Sequence, residues 1–321
     1  MPEFSVPAEA SSDFLRAFER HLATVRQVRG LPSKVCYDLH EARARIPAAL
    51  REGGAGCGMH EVVRAHEGHF SARDSWKRYQ RDCWHAPKPD TLYVHLDYKE
   101  HDQLPFGPTE TNRSFYANYL QGVGFQGILS WSILSGRRHK FYLSKCKEQS
   151  GLYSQCALAD CLTRVRAGRQ RYRQLVVLVD SGRHYVCNDF MAYVLVHVPA
   201  QYTNLKEVSV AIAPAGHGKG AVDAEFAVCR SFRKFLRRKF WVNEVETYVS
   251  LLQERADALY DQCSLRPHRE FIHRFPPPKA EVAMASLDDL QLRKVNMPIQ
   301  SVFFWSSVLD KNGCRIVACK T

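Results

Sequence analysis

Residues 174–180 read Gln-Leu-Val-Val-Leu-Val-Asp, an unbroken aliphatic run that stops at an aspartate, with Gly182 two residues on. A strand with one wet face alternates apolar and polar residues. A strand that is aliphatic at every position must be covered on both faces. Residues 175–179 are therefore expected to form a buried strand of parallel type, which requires helices on both sides of a sheet.

The surrounding pattern supplies the rest of that sheet. Residues 92–98, 124–135 and 139–144 read as three strands, and 152–165 has helical spacing. After the aliphatic run, 186–197 reads as a helix with Asn188 or Asp189 as its cap. Residues 208–212 form a short strand, and 223–240 a long basic helix whose inward face is Phe226, Cys229, Phe232, Leu236 and Phe240. The order is β-β-β-α-β-α-β-α. The fold class expected is α/β, with a mixed five-stranded sheet and helices on both faces.

Flanking segments complete the organisation. Helical spacing appears at 14–28, 42–51 and 64–84, and the last stretch is closed by Pro87 and Pro89. A further helix is expected over 241–260 and a stiff linker over 274–279. A terminal hairpin over 299–319 turns at Lys311-Asn312-Gly313. The divisions are a helical region at 1–88, a core at 89–240 and a small extension at 241–321.

With 321 residues, 45% of them hydrophobic, the chain can bury a sizeable core. Its 45 Lys and Arg against 33 Asp and Glu leave a formal charge of +12, which favours a polyanionic partner. No secretory signal and no apolar run of about 18 residues is visible, so an intracellular protein without membrane spans is expected. The 11 cysteines, an odd number, read as reduced thiols. Cys57, His60, His66, His69, Cys83 and His85 cluster loosely, but their spacing matches no zinc pattern. There is no Walker A loop and no Gly-x-Ser-x-Gly elbow. Gly122-Val-Gly-Phe-Gln-Gly127 opens a strand rather than following one into a helix, and is read as a turn.

Three acids stand in settings that carry chemistry. Asp97 ends the first strand, Asp180 ends the aliphatic run, and Asp223 follows the loop His217-Gly-Lys-Gly220 into the basic helix. Hard divalent cations take carboxylate oxygen, and two such ions about 3.5–4 Å apart activate an oxygen nucleophile and stabilise phosphoryl charge. Taken singly, Asp97 reads as a surface charge, Asp180 as a turn residue and Asp223 as a first-turn helix acid. Glu225 is the rival for the third position. It lies about 200° around the helix from Asp223, so only one of the two can face a common point. Asp223 is preferred because it directly follows the glycine loop. Glu100 and Asp102 are read as supporting or exposed acids, Asp189 as a cap or solvent group, and Asp160 as an acid without an identifiable partner.

This order of elements and acids, with the strings Leu96-Asp97-Tyr98-Lys99-Glu100, Gly107-Pro-Thr-Glu-Thr111 and His217-Gly-Lys-Gly-Ala-Val-Asp223, resembles the RNase H-like catalytic domain of DDE/DDD-type transposases and retroviral integrases. The resemblance covers about residues 90–240. It implies DNA cleavage and strand transfer with Mg²⁺ or Mn²⁺ held by Asp97, Asp180 and Asp223, and a nuclear homo-oligomer assembled on DNA. No small-molecule substrate is implied. His217 would orient the phosphate or a water. Lys219 would neutralise a phosphate, and Arg230, Lys234 and Arg237 would track the backbone. The basic stretch 164–173 could do the same or serve solubility. The alternatives are a domesticated or truncated relative that binds without cutting, and another RNase H-fold nuclease. No complete DNA-binding module accompanies the core, which departs from the family.

Overall fold

The computed structural model describes residues 72–108, 120–145, 149–165, 172–214, 218–262, 269–273, 304–309 and 315–320. The expected helices at 14–28 and 42–51, the 274–279 linker, the 311–313 turn, His217, and Cys57, His60, His66 and His69 lie outside the described residues. The chain divides into two compact units, Met1–Lys77 with Pro214–His217, and Arg78–Ala213 with Gly218–Thr321. In the first unit residues 72–77 are helical, and the same helix (α1, 72–85) continues into the second unit. Everything below concerns the second unit.

Its strands are β1 (Thr91–Leu104), β2 (Gln121–Ser132), β3 (Gly136–Ser144), β4 (Gln174–Val179), β5 (Glu207–Ile212), β6 (Arg269–His273), β7 (Phe304–Leu309) and β8 (Arg315–Lys320). They form one mixed sheet in the order β6-β3-β2-β1-β4-β5-β7-β8. β1 pairs with β2, and β2 with β3, antiparallel, while β4 lies parallel to β1 and β5 parallel to β4. The α/β class and mixed sheet are as expected, but the sheet has eight strands, not five. β6 adds in parallel to β3, and the β7–β8 antiparallel pair extends the other edge through β5. The C-terminal residues thus belong to the main sheet.

Helices cover both faces. α2 (Gly151–Arg164) starts at Ser150, whose hydroxyl accepts from the Tyr153 amide. α3 runs through Asn188–Ala192, a π turn at Tyr193–His197, and Val198–Gln201. Its cap is Cys187, without a side-chain hydrogen bond, in place of the expected Asn188 or Asp189. Leu92, Val94, Leu96, Ile128, Leu175, Val177, Val179, Val208 and Val210 form one core with residues of these two helices. On the opposite face, α4 (Ala221–Arg237) sets Val222, Phe226, Cys229, Phe232 and Leu236 inward. Phe240 departs from that expected face: it lies beyond the helix and is 40% exposed. α5 (Val245–Gln262) follows. Ile133 and Leu134 sit in the exposed turn after β2 rather than in the strand.

The α4 contact depends on Gly127. A Cβ there would come within 2.7 Å of the Phe226 ring and 2.9 Å of Val222 Cγ1, so the helix can approach β2 only over a glycine. Among the described residues no helix is long and apolar enough to cross a membrane.

Candidate functional site

The parallel ladder between β1 and β4 pairs Thr91 with Gln174 and His95 with Leu178, a constant offset of 83 residues. The same offset separates Asp97 from Asp180. Asp97 does not end β1, as expected, but lies midway along it, two residues past the last position paired with β4, and Asp180 lies one residue past the end of β4. Side chains alternate along a strand. Leu92, Val94 and Leu96 face the α2–α3 core, as do Leu175, Val177 and Val179. Asp97 and Asp180 therefore belong to the opposite face, which α4 covers. Both are half-buried, at the rim rather than inside. Their charges also bear on one atom: burial first, and Asp97 and Asp180 among further causes, drive the Tyr185 hydroxyl well above its ordinary pKa.

The loop before α4 lies over the middle of β1 and the end of β4. A Cβ on Gly218 would meet Asp180 Cβ at 2.8 Å, and one on Gly220 would meet the His95 ring at 2.5 Å. Glycine is needed at both positions for this approach. His95 is buried, and burial brings its pKa down to about 4, so it stays neutral at physiological pH. Lys219 is exposed between the two glycines. The loop thus brings the N-terminus of α4 beside Asp180 and His95.

Each of the three expected acids has an oxygen held by a backbone amide. Asp97 accepts from Tyr98 N–H and Asp180 from Gly182 N–H, at 2.8 and 2.9 Å. Asp223 accepts from Gly220 N–H at 2.8 Å, so its carboxylate caps its own helix. Asp180 makes a turn as well, and His184 Nε2 stands 3.7 Å from its Oδ1. Burial lowers the His184 pKa and the Asp180 charge opposes that shift.

Glu225 is engaged elsewhere. Its carboxylate meets Arg269 Nε at 2.6 Å and His139 Nδ1 at 3.1 Å. Burial alone would raise its pKa, but hydrogen bonds from His139 and Arg269 outweigh burial and hold it down. It is a packing ion pair reaching from α4 to β3 and β6.

Two other acids differ from expectation. Asp102 is neither exposed nor peripheral: it is 2% exposed, contacts Lys99, accepts from the Tyr248 hydroxyl at 2.9 Å and pairs with Arg233 at 3.1 Å. Asp160 has partners, Tyr142 Oη at 2.9 Å and Arg164 Nε at 2.6 Å. Asp189 is exposed. On α4, Arg230, Lys234 and Arg237 are exposed, while Arg233 is spent on Asp102.

The donor chemistry of Asp97 and Asp180 suits a hard cation. Yet among the described residues no three His, Cys, Asp or Glu side chains converge closely enough to hold a metal ion. The pair fits in donor type; among the described residues no third ligand is gathered around it. Cys83, Cys156, Cys161, Cys187 and Cys229 are free thiols. No family model matches the chain, and no curated protein is significantly similar to it.

Proposed function

We propose that this chain is a divalent-cation-dependent polynucleotidyl transferase or nuclease with an RNase H-like core, of the transposase and integrase type. The observation that carries the reading is the parallel pairing of β1 with β4, which puts Asp97, midway along β1, and Asp180, just past β4, on neighbouring strands, with Gly218 before α4 against Asp180. The strand order β3-β2-β1-β4-β5, with its antiparallel and parallel pairs, supports the finer fold assignment.

Mg²⁺ or Mn²⁺, when bound, would supply charge stabilisation at the phosphoryl oxygens and an activated oxygen nucleophile. The chain's own contributions are positional. Asp97 offers carboxylate oxygens from the middle of β1 and Asp180 from the end of β4. The α4 amides and Lys219 receive a phosphate beside them, as a helix N-terminus favours an anion. Arg230, Lys234 and Arg237 carry the backbone along the helix. Asp223 accepts the Gly220 amide through Oδ2, and its other oxygen would be the one to join the site. Assembly as a homo-oligomer on DNA and a nuclear location belong to the same reading.

End-labelled duplex DNA incubated in Mg²⁺ or Mn²⁺ tests it. Nicking is expected, and products joined through a 3′-OH would mark transfer over plain hydrolysis. A substrate preference for RNA–DNA hybrids would mark another RNase H-fold nuclease. No cleavage in either metal contradicts the reading.

A second reading, nucleic-acid binding without cleavage, is favoured by one observation: Asp223 is turned back onto Gly220 and no third ligand meets the pair. DNA bound but never cut would favour it.

A further inference from the structure

Trp241 is 53% exposed, and the chain holds it there firmly. The next residue, Val242, is fully buried and pairs with Phe106 through two backbone hydrogen bonds of 2.9 and 3.0 Å. The indole lies directly on Gly107: a Cβ at that glycine would fall 1.4 Å from Trp241 Cε3 and 2.0 Å from Cζ3. Gly107 lies against the ring, and about half of the residue meets solvent. A large, rigid aromatic surface fixed in this way loses little freedom when a partner covers it.

Its surroundings specify the partner's charge. From Phe226 to Asn243 the sequence has six cations, Arg230, Arg233, Lys234, Arg237, Arg238 and Lys239, and no acid. Arg233 is neutralised by buried Asp102, and the other five are exposed. Phe240, 40% exposed, stands between this run and the indole. A partner that is anionic along its length and has flat π faces suits both features, which is the description of an unpaired nucleic-acid strand. α4 spans about 25 Å, or roughly seven nucleotides at duplex spacing, between the Asp97–Asp180 edge and Trp241.

We propose that Trp241, backed by Gly107 and flanked by Arg238, Lys239 and Phe240, is a base-stacking platform for single-stranded nucleic acid, distal to the carboxylate pair on the α4 track. This rests on the reading of the chain as a nucleic-acid-binding protein, and does not depend on cleavage.

The test is fluorescence anisotropy of the full chain in EDTA with a labelled oligothymidylate of about twenty nucleotides, beside a duplex of equal length. Trp241→Ala is expected to weaken single-strand binding about tenfold, to leave the slope of affinity against salt unchanged, and to alter duplex binding less than about twofold. Trp241→Phe should retain most of the affinity. Gly107→Ala, which displaces the indole, should reproduce the loss, with cooperative thermal unfolding checked for each variant. Single-strand binding unchanged in Trp241→Ala, or weakened equally on the duplex, overturns the platform while leaving the nucleic-acid reading intact. Wild-type protein that binds neither form overturns both. Trp241-dependent binding to phosphatidylserine vesicles, with none to oligothymidylate, would assign the patch to a membrane surface and overturn the proposal.

Discussion

Arg269 Nε donates to Glu225 at 2.6 Å while a second guanidinium nitrogen reaches its other oxygen at 3.2 Å, joining α4 to β6 across 44 residues of sequence. The two-pronged contact, with His139 beside it, commits Glu225 to packing and leaves Asp223 as the helix-borne acid nearest the glycine loop. Breaking a largely buried pair leaves the partner charge uncompensated, so Glu225→Gln should cost about 2–4 kcal/mol in urea unfolding. Cleavage per folded molecule should survive that change. Asp223→Asn should cost less stability, about 1 kcal/mol for a weakened cap, yet abolish cleavage. Equal cleavage in Asp223→Asn and wild type would remove Asp223 from the site.

Gly127 controls how closely α4 approaches the sheet. A methyl group there meets Phe226 and Val222, both buried. Gly127→Ala should therefore destabilise by about 1–3 kcal/mol through overpacking, visible as a lower denaturant midpoint with an unchanged slope. A neutral result would mean that α4 does not sit tightly on β2.

Asp102 is the centre of a buried network of Lys99, Arg233 and Tyr248 that ties β1 to α4 and α5. Asp102→Ala strands the buried Lys99 ammonium and should cost about 3–5 kcal/mol by urea titration. Tyr248→Phe, which removes one hydrogen bond and no charge, should cost about 1–2 kcal/mol.

Burial raises the pKa of Cys161, to about 11, and that of Cys229, and both side chains are almost fully enclosed. The thiolate is the reactive form, so both should resist iodoacetamide at about pH 8 until the protein unfolds. Cys187 is only half-buried, and although burial raises its pKa too, it should be alkylated before Cys161 and Cys229 in a peptide-mapping time course. Rapid labelling of Cys161 in folded protein would contradict its place in the core.

Short-range periodicity carried much of the fold. The aliphatic run over 175–179 is β4, the strands beginning the core are β1, β2 and β3, and α2, α4 and β5 fall where their patterns put them. β6 escaped because Arg269-Glu-Phe-Ile-His273 is only five residues, has no apolar–polar alternation, and gains its strand state from β3. Partners that lie far apart in sequence were equally hidden: nothing local links Tyr248 to Asp102 or Arg269 to Glu225. The π turn in α3 has no periodic signature. At the site, the spacing of Asp97 and Asp180 was visible in the sequence. Its meaning, equality with the β1–β4 register offset, was not.

The most direct measurement is cleavage of labelled DNA in Mn²⁺ by wild type, Asp97→Asn and Asp180→Asn, each shown to unfold at the same or a higher temperature than wild type. The account predicts metal-dependent cleavage by wild type and a loss of at least about a thousandfold in each variant, because on the proposed reading both carboxylates would hold the same cation. Cleavage persisting in either variant, or absent from all three, would contradict it.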